Sequence, residues 1–226
     1  MKYKYLLFDL DGTLFDYNKA EADALENSFI HFGYSYNPHY LDIYRELNHR
    51  IWQDFENGKI VQKELKTKRF EQLAESLNLT FDSLKFSNTY LLNLSKGIDL
   101  IIGAEELLKK LNSNAKLYLI TNGLTLVQRP RIKNSSIGKY FDDVIISEEV
   151  GFAKPQKEIF DLAFDMMGNP DKDEVLIIGD SLSSDIAGGN NYGIDTCWYN
   201  PNSKEIESNH NPTYEVKKLM KLLEIA

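Results

Sequence analysis

The sequence predicts an α/β protein with a doubly wound, Rossmann-like parallel sheet as its core and an α-helical domain inserted after the first strand. Short continuous apolar runs, such as residues 5–8 and 175–178, are typical of strands buried on both faces of a parallel sheet. After residue 95 such runs alternate with helical periodicity, which favours right-handed βαβ units. Between residues 16 and 94 helical periodicity stands alone. We therefore expect a core domain of residues 1–15 and 95–226 and a helical domain of residues 16–94.

Composition and charge limit the function classes. The chain has 226 residues, of which 42% are apolar and 27% charged, and its net charge is −8. These values are ordinary for a globular protein, and an acidic chain is a poor partner for nucleic acid polymers or membranes. Its apolar runs are far shorter than the ~20 residues that span a bilayer, and the N-terminus lacks the pattern of a signal peptide. The single cysteine, Cys197, allows no intrachain disulfide, so we expect a cytoplasmic location. We also expect a monomer or dimer that acts on a small molecule.

In the core domain, strands and helices are expected to alternate along the chain. The expected strands cover residues 5–8, 117–120, 144–146, 175–178 and 195–199. The expected helices cover residues 103–111, 125–134, 157–167, 183–192 and 216–225, with a polar loop over residues 201–212. Pro130 lies inside the second of these helices and predicts either a kink or a later helix start.

The inserted domain is expected to contain four helices. They cover residues 18–32, residues 38 to the Asn57-Gly58 stop, residues 62–77 and residues 82–94. Pro38 suits the first position of its helix, and Asn18 with Glu21 resembles a capping box. We expect this block to act as a cap, which covers the strand edge, excludes water and selects the substrate.

Two carboxylates follow the first strand directly, in the stretch Phe8-Asp9-Leu10-Asp11-Gly12-Thr13. Ligands of open α/β sheets bind at the carboxyl ends of the strands, so both acids are expected at a binding edge. There, one carboxylate can attack as a nucleophile while its neighbour handles protons. The alternative is a plain turn, because Asp-Gly is a common turn dipeptide, and this stretch alone leaves both interpretations open.

Three further motifs follow in order along the chain. Thr121-Asn122-Gly123 and Gly179-Asp180-Ser181-Leu182-Ser183-Ser184-Asp185 each end an apolar run, and Lys154-Pro155 lies between them. Taken alone, Lys-Pro is typical of a solvated loop and Gly-Asp-Ser of a helix N-cap. As an ordered set with the first stretch, these motifs closely resemble those of the haloacid dehalogenase-like superfamily of phosphohydrolases, over nearly the whole chain.

The resemblance implies a role for each motif residue. Asp9 would be the nucleophile that forms an aspartyl-phosphate, and Asp11 the general acid and then base. The phosphoryl group would be bound by Gly12, Thr121, Asn122, Gly123 and Lys154, with Gly12 and Thr13 shaping the turn. Four converging acids would repel one another unless a cation were bound, and Mg²⁺ favours carboxylate oxygens. By resemblance, Asp9, the backbone carbonyl of Asp11 and Asp180 would hold Mg²⁺, while Asp185 would orient ligand waters or pair with Lys154.

The chain looks most like one branch of this superfamily, the noncanonical pyrimidine nucleoside 5′-monophosphatases with a C1-type cap. This likeness rests on Gln128 and Arg131 after the second motif, on residues 146–148 and 151–155, and on the motif at residues 179–185. It implies Mg²⁺-dependent hydrolysis of phosphomonoesters such as dUMP, TMP or UMP. A sugar-phosphate or phosphoglycolate phosphatase, a phosphosugar mutase and a noncatalytic phosphate-binding protein remain alternatives. A dehalogenase is disfavoured because the dehalogenases of this superfamily lack the acid two residues after the nucleophile, which is present here as Asp11.

Two sets of residues receive no role from the sequence. Gln128, Arg129 and Arg131 form either a solvated helix face or a feature specific to the branch, and Pro130 departs from the expected pattern between them. In the cap, aromatic rings could stack on a pyrimidine base, although aromatics at helical spacing are more often core residues. The candidates for such stacking are Tyr17, Tyr44, His49, Trp52 and Phe55.

Overall fold

The computed structural model describes residues 2–56, 58–206 and 211–226. Asn57, expected to end a helix, and residues 207–210 of the expected polar loop lie outside the described residues. The chain divides into two compact units. We call Met1–Tyr17 with Ile98–Ala226 the core unit, and Asn18–Gly97 the helical unit.

Six parallel strands form one sheet in the described part of the core unit. They are β1 Tyr5–Phe8, β2 Lys116–Thr121, β3 Asp143–Ile146, β4 Val175–Gly179, β5 Asp195–Tyr199 and β6 Tyr214–Val216. Their order is β3-β2-β1-β4-β5-β6. In register, Leu7 of β1 lies opposite Tyr118 of β2 and Ile177 of β4. The predicted doubly wound parallel sheet is therefore confirmed.

The strand order reverses between β1 and β4. From β1 the chain builds outward through β2 and β3, and it then returns to place β4 on the other side of β1. Such a reversal leaves a crevice at the carboxyl ends of the two central strands, which is where open α/β sheets bind their ligands. Asp9 follows β1 and Asp180 follows β4, so both acids lie at this crevice.

The helices of the described residues separate into those of the helical unit and those that flank the sheet. They are α1 Tyr17–His31, α2 His39–Glu56, α3 Gln62–Ser76, α4 Ser83–Leu94, α5 Ala104–Leu111, α6 Thr125–Asn134, α7 Ser147–Val150, α8 Lys157–Met167 and α9 Ala187–Tyr192. A π-helical turn at Leu182–Ile186 leads into α9, and 3₁₀ turns occur at Gly138–Tyr140, Lys172–Glu174 and Leu219–Glu224.

Both faces of the sheet are buried, as the continuous apolar runs predict. Leu6 and Phe8 belong to an apolar cluster with Leu108 of α5. Leu7, between them, belongs to a second cluster with Phe160 of α8. Successive side chains of a strand point to opposite faces, so one run of apolar residues supplies both layers. A rigid central strand therefore positions the residues that follow it.

The predicted C-terminal helix over residues 216–225 is wrong. Val216 ends β6, which pairs in parallel with β5 through the Trp198–Glu215 register. The backbone at the start of the segment is thus hydrogen-bonded in the sheet and cannot be helical, and only the 3₁₀ turn at Leu219–Glu224 follows. Leu219 and Leu222, three residues apart, are both buried, a spacing that suits the 3₁₀ period.

Pro130 neither ends nor delays α6, which runs from Thr125 to Asn134 with the proline inside it. The helix predicted over residues 183–192 instead begins with the π-helical turn and becomes α-helical only at Ala187. Within the described residues, no helix is both long and apolar enough to cross a membrane.

The helical unit has a core of aromatic rings. Tyr44 is fully buried, and its ring stacks on Phe70 with centroids 5.6 Å apart. Trp52 and Phe55 pack edge to face beside a smaller apolar cluster, whereas His49 is exposed. Tyr44 is therefore a core residue, as aromatic residues at helical spacing most often are.

Candidate active site

Asp9 is fixed directly beyond the end of β1. Its backbone N–H donates to the carbonyl of Ile178 on β4 at 2.9 Å, which extends the sheet pairing by one residue. Its Oδ1 accepts from Lys154 Nζ at 2.8 Å, and its Oδ2 accepts from Thr13 Oγ1 at 3.0 Å. Burial raises the pKa of Asp9 to about 7, against the opposing effect of Lys154. The carboxylate is thus oriented through both oxygens.

Lys154 is the central cation of the site and is only 1% exposed. Its Nζ donates to Asp9 Oδ1 at 2.8 Å, to Asp185 Oδ1 at 2.7 Å and to the Ile120 carbonyl at 2.7 Å. Burial alone would lower the pKa of Lys154, but Asp185 and Asp9 outweigh it and the net effect raises the pKa. The lysine therefore stays charged and can neutralise only part of the negative charge around it.

Three of the four acids predicted to converge do so at the crevice, while the side chain of Asp11 contacts Gln128 and Arg131 instead. Asp9, Asp180 and Asp185 each offer a carboxylate oxygen, and these atoms lie within 4.8 Å of one another. Burial, together with repulsion from Asp9 and Asp185, raises the pKa of Asp180 well above its usual value. Among the described residues of this cluster, three carboxylates face the one ammonium group of Lys154. A divalent cation with a preference for oxygen fits such a donor set, because it would remove the remaining repulsion.

Asp185 reaches the cluster from the π-helical turn. Its Oδ1 pairs with Lys154, and its Oδ2 accepts the N–H of Ser181 at 3.1 Å. A Cβ on Gly179 would lie 2.1 Å from the same Oδ2, so the last residue of β4 must be a glycine for Asp185 to fit. The carboxylate is fully buried, and the pairing with Lys154 is one of the two roles anticipated for it.

Gly12 makes room for Asp180. Its φ of +87° is in the left-handed region that favours glycine, and a Cβ there would lie 2.5 Å from Asp180 Oδ2. The N–H of Gly12 donates to the Phe15 carbonyl at 3.0 Å, which closes the turn. Gly12 thus lets the chain after β1 approach the carboxylate after β4.

The second motif is tied to the third by side chains. Asn122 Nδ2 donates to the Lys154 carbonyl and Asn122 Oδ1 accepts the Lys154 N–H, both at 2.8 Å. The N–H of Gly123 donates to Ser147 Oγ at 3.0 Å. The Asn122 side chain therefore clamps the backbone that carries the buried ammonium group, a contact that the sequence did not suggest.

Asp11 faces α6. Arg131 Nη1 donates to Asp11 Oδ1 at 2.5 Å, and Gln128 Nε2 donates to Asp11 Oδ2 at 2.7 Å. Gln128 and Arg131 are both buried, so the solvated-face interpretation is wrong for them. It is right for Arg129, an exposed residue whose Nε donates to Glu149 Oε1 at 2.8 Å. The spacing of Gln128 and Arg131, three residues apart on one helix face, is the signal that could have separated them from Arg129.

The doubly wound sheet and the acid cluster at its reversal point define the class of protein. Residues 3–193 match the family model of haloacid dehalogenase-like hydrolases. The chain belongs to this family.

Two curated relatives are similar over nearly their full length. Pyrimidine 5′-nucleotidase YjjG of Escherichia coli is 36% identical over 222 residues, which cover 98% of this chain and 97% of that protein. Pyrimidine 5′-nucleotidase PynA of Streptococcus pneumoniae is 38% identical over 225 residues, which cover 99% and 95%. Among solved structures, the HAD-hydrolase YfnB of Bacillus subtilis, crystallised with bound magnesium, superposes with a TM-score of 0.95 at 36% identity, covering 100% of this chain and 99% of that one.

Proposed function

We propose that the protein is an Mg²⁺-dependent phosphatase that hydrolyses pyrimidine nucleoside 5′-monophosphates such as dUMP, TMP or UMP through an aspartyl-phosphate. The observation that carries the chemistry is the buried Asp9, held by Lys154 and Thr13 beside Asp180. The choice of substrate is supported by YjjG and PynA, both named pyrimidine 5′-nucleotidases.

In the first step, a carboxylate oxygen of Asp9 attacks phosphorus while the bond from phosphorus to the ester oxygen breaks. The leaving oxygen takes a proton from Asp11, and the nucleoside departs. Lys154 and the Thr121 hydroxyl stabilise the negative charge on the phosphoryl oxygens during transfer. The N–H of Asn122 is a further proposed donor to this group, and Gly123 keeps the loop close to it.

In the second step, water attacks the phosphorus of the aspartyl-phosphate and gives a proton to Asp11. The bond from phosphorus to the Asp9 oxygen breaks, which releases inorganic phosphate and restores the free carboxylate. Asp11 is then protonated and ready for the next leaving group. One carboxyl group thus serves both steps, as acid and as base.

Asp9, the backbone carbonyl of Asp11 and Asp180 would hold the Mg²⁺ ion. When bound, it would supply charge neutralisation and orientation to the phosphoryl group. Asp185 would not bind the ion directly; it would pair with Lys154, 2.7 Å away, and orient the water ligands of the ion.

We further propose that residues 16–94 are a C1-type cap and that residues 1–15 and 95–226 form the catalytic core domain. The position of the helical unit in the sequence, between β1 and β2, supports this role. A cap would exclude water and select the leaving group. A cytoplasmic location is supported by the single cysteine, Cys197, which is buried as a free thiol.

A substrate panel tests the proposal. Purified protein would be assayed for phosphate release from dUMP, TMP, UMP, sugar phosphates and phosphoglycolate, with Mg²⁺ and with EDTA. We expect metal-dependent release that is fastest with the pyrimidine nucleotides and absent in Asp9→Asn. Faster release from sugar phosphates than from all three nucleotides would contradict the substrate class. Failure to release phosphate from any of them would contradict the phosphatase itself.

A further inference from the structure

We propose that Gln128 and Arg131 are positioning residues that hold Asp11 in its working orientation and link it to Thr121. The inference rests on the proposed function, in which Asp11 is the acid and base. It assigns a task to two side chains of α6 that are not among the four motifs of the site. Neither residue touches the transferred phosphoryl group in this scheme, and both act through Asp11 and Thr121.

The first observation is that α6 binds both oxygens of Asp11. Arg131 Nη1 is 2.5 Å from Oδ1 and Gln128 Nε2 is 2.7 Å from Oδ2. A carboxylate bound through only one oxygen can rotate about its side-chain torsions, whereas donors on both oxygens fix the plane of the group. Proton transfer needs the acid within hydrogen-bond reach of the leaving oxygen, so this orientation is a requirement of the chemistry.

The second observation is that the two donors are themselves fixed. Arg131 is fully buried, and its Nη1 also donates to Gln128 Oε1 at 3.1 Å. Its guanidinium group lies over the ring of Phe15, 4.7 Å from the centroid. Burying an arginine beside a carboxylate carries a desolvation cost, and apolar replacements are often as stable, so stability alone is a weak reason for the pair. A task in orienting Asp11 supplies a stronger one.

The third observation joins Asp11 to the second motif. Gln128 Nε2 also donates to Thr121 Oγ1 at 3.2 Å. A hydroxyl oxygen that accepts this hydrogen bond directs its own O–H elsewhere, toward the position proposed for a phosphoryl oxygen. A Cβ on Gly123 would lie 2.6 Å from the same Nε2, so the glycine leaves room for the amide. One amide group thus sets the direction of a catalytic hydroxyl and a catalytic carboxyl group.

The test compares Arg131→Met and Gln128→Leu with a matched control on the same helix. Arg129→Met removes an arginine that is exposed and pairs with Glu149 across 2.5 Å. With UMP and Mg²⁺, we expect kcat to fall about 10- to 100-fold in the two test variants with KM little changed, which is less than the ~10²- to 10⁴-fold that acid–base catalysis supplies in full. The control should keep kcat within about twofold of the wild type.

A burst experiment separates positioning from general damage. p-Nitrophenolate leaves without a proton, so the first step with p-nitrophenyl phosphate should stay fast in Arg131→Met, which acts on Asp11 alone, while the second step slows. We expect a burst of p-nitrophenolate close to the enzyme concentration, as in Asp11→Asn. A structural defect would instead slow the burst and the turnover together, and that result would overturn the inference.

A double-mutant cycle completes the test. In an Asp11→Asn background, Arg131→Met should lower kcat by less than about twofold further, because its target is already gone. Gln128→Leu should lower kcat by less than it does in the wild-type background, since only its contact with Thr121 remains. Full additivity would overturn the inference, as would wild-type kcat in the single variants. If Arg131→Met does not fold, Gln128→Leu decides the outcome alone. Lack of phosphatase activity in the wild type would overturn the proposed function, and active wild type with unaffected variants would overturn this inference alone.

Discussion

Lys154 Nζ and Asp9 Oδ1 lie 2.8 Å apart although 145 residues separate them in the chain. The contact brings the third sequence motif onto the first at the point where the sheet reverses its order. Because Asp185 Oδ1 lies 2.7 Å from the same Nζ, one buried cation links residues that follow β1 and β4. Charge balance at this point governs both the stability and the chemistry of the site.

Replacement of Lys154 should destabilise the fold strongly. In Lys154→Met, Asp9 and Asp185 would remain buried without their common cation, and breaking a buried pair in this way costs about 3–5 kcal/mol. We expect a lower free energy of unfolding at pH 8, measured by urea denaturation with EDTA present, together with loss of phosphatase activity.

Lys157→Met is the matched control for this substitution. Lys157 is exposed and pairs with Asp161 one helical turn away, so its removal should change stability by less than about 1 kcal/mol. Equal stability of Lys154→Met and the control would contradict the view that Lys154 balances the acid cluster.

The contribution of Asp9 to the stability of the metal-free protein should fall as the pH rises from about 4 to about 7. The pKa of Asp9 is about 7 in the folded protein, against 3.8 for an unperturbed carboxyl group, because burial disfavours its charge. Between these values the folded state retains a proton that the unfolded state has released, so rising pH favours unfolding. The stabilising contribution is complete below the lower value and lost above the upper one.

Thermal unfolding with EDTA at pH 5 and pH 8 measures this effect. We expect the Tm of the wild type to fall by about 5 °C more than that of Asp9→Asn, which lacks the titrating group. Mg²⁺ should raise the Tm more at pH 8 than at pH 5, since the proposed site would bind it through ionised carboxylates. An identical pH dependence in wild type and variant would argue against a protonated Asp9 in the metal-free fold.

Substitution of Gly12 should damage the proposed metal site rather than the fold alone. In Gly12→Ala the new Cβ would lie 2.5 Å from Asp180 Oδ2 and would displace that carboxylate. We expect the Mg²⁺ concentration that gives half-maximal activity to rise at least 10-fold.

Gly168→Ala separates this steric effect from backbone strain. Gly168 has a φ of +82°, close to the +87° of Gly12, but a Cβ there meets nothing within 4 Å. Both variants should lose about 1 kcal/mol of stability from strain, and only Gly12→Ala should change the Mg²⁺ requirement. An unchanged Mg²⁺ requirement in Gly12→Ala would show that Asp180 does not need the space that Gly12 provides.

The sequence predicts the parts of this protein that depend on local patterns. Continuous apolar runs precede Asp9 and Asp180 in the sequence. These runs predict buried strands, and they therefore predict that both acids lie at the carboxyl ends of strands. The edge strand β6 is missed because its three residues, Tyr214, Glu215 and Val216, are too few for their apolar–polar alternation to indicate a strand. Its parallel pairing with β5 decides the conformation.

The same limit applies around the site. The side chain of Asn122 clamps the Lys154 backbone, and that contact depends on where two distant loops meet. Gln128 and Arg131 read as helix-surface residues until the position of Asp11 relative to α6 is known. Motif order therefore predicts that Asp9, Asp180 and Asp185 converge. Helix spacing can mark Gln128 and Arg131 as a pair, but only the packing of α6 against the sheet shows that they orient Asp11.

Trapping of the covalent intermediate tests the central claim most directly. Asp11→Asn protein mixed with p-nitrophenyl phosphate and Mg²⁺ would be quenched in acid, digested and examined by mass spectrometry. We predict phosphorylation of the peptide that contains Asp9, at a level close to one group per protein, and none when Asp9→Asn is added to the same background. Turnover in the wild type without any phosphorylated Asp9 in the trapping variant, or with the label on another residue, would contradict the account.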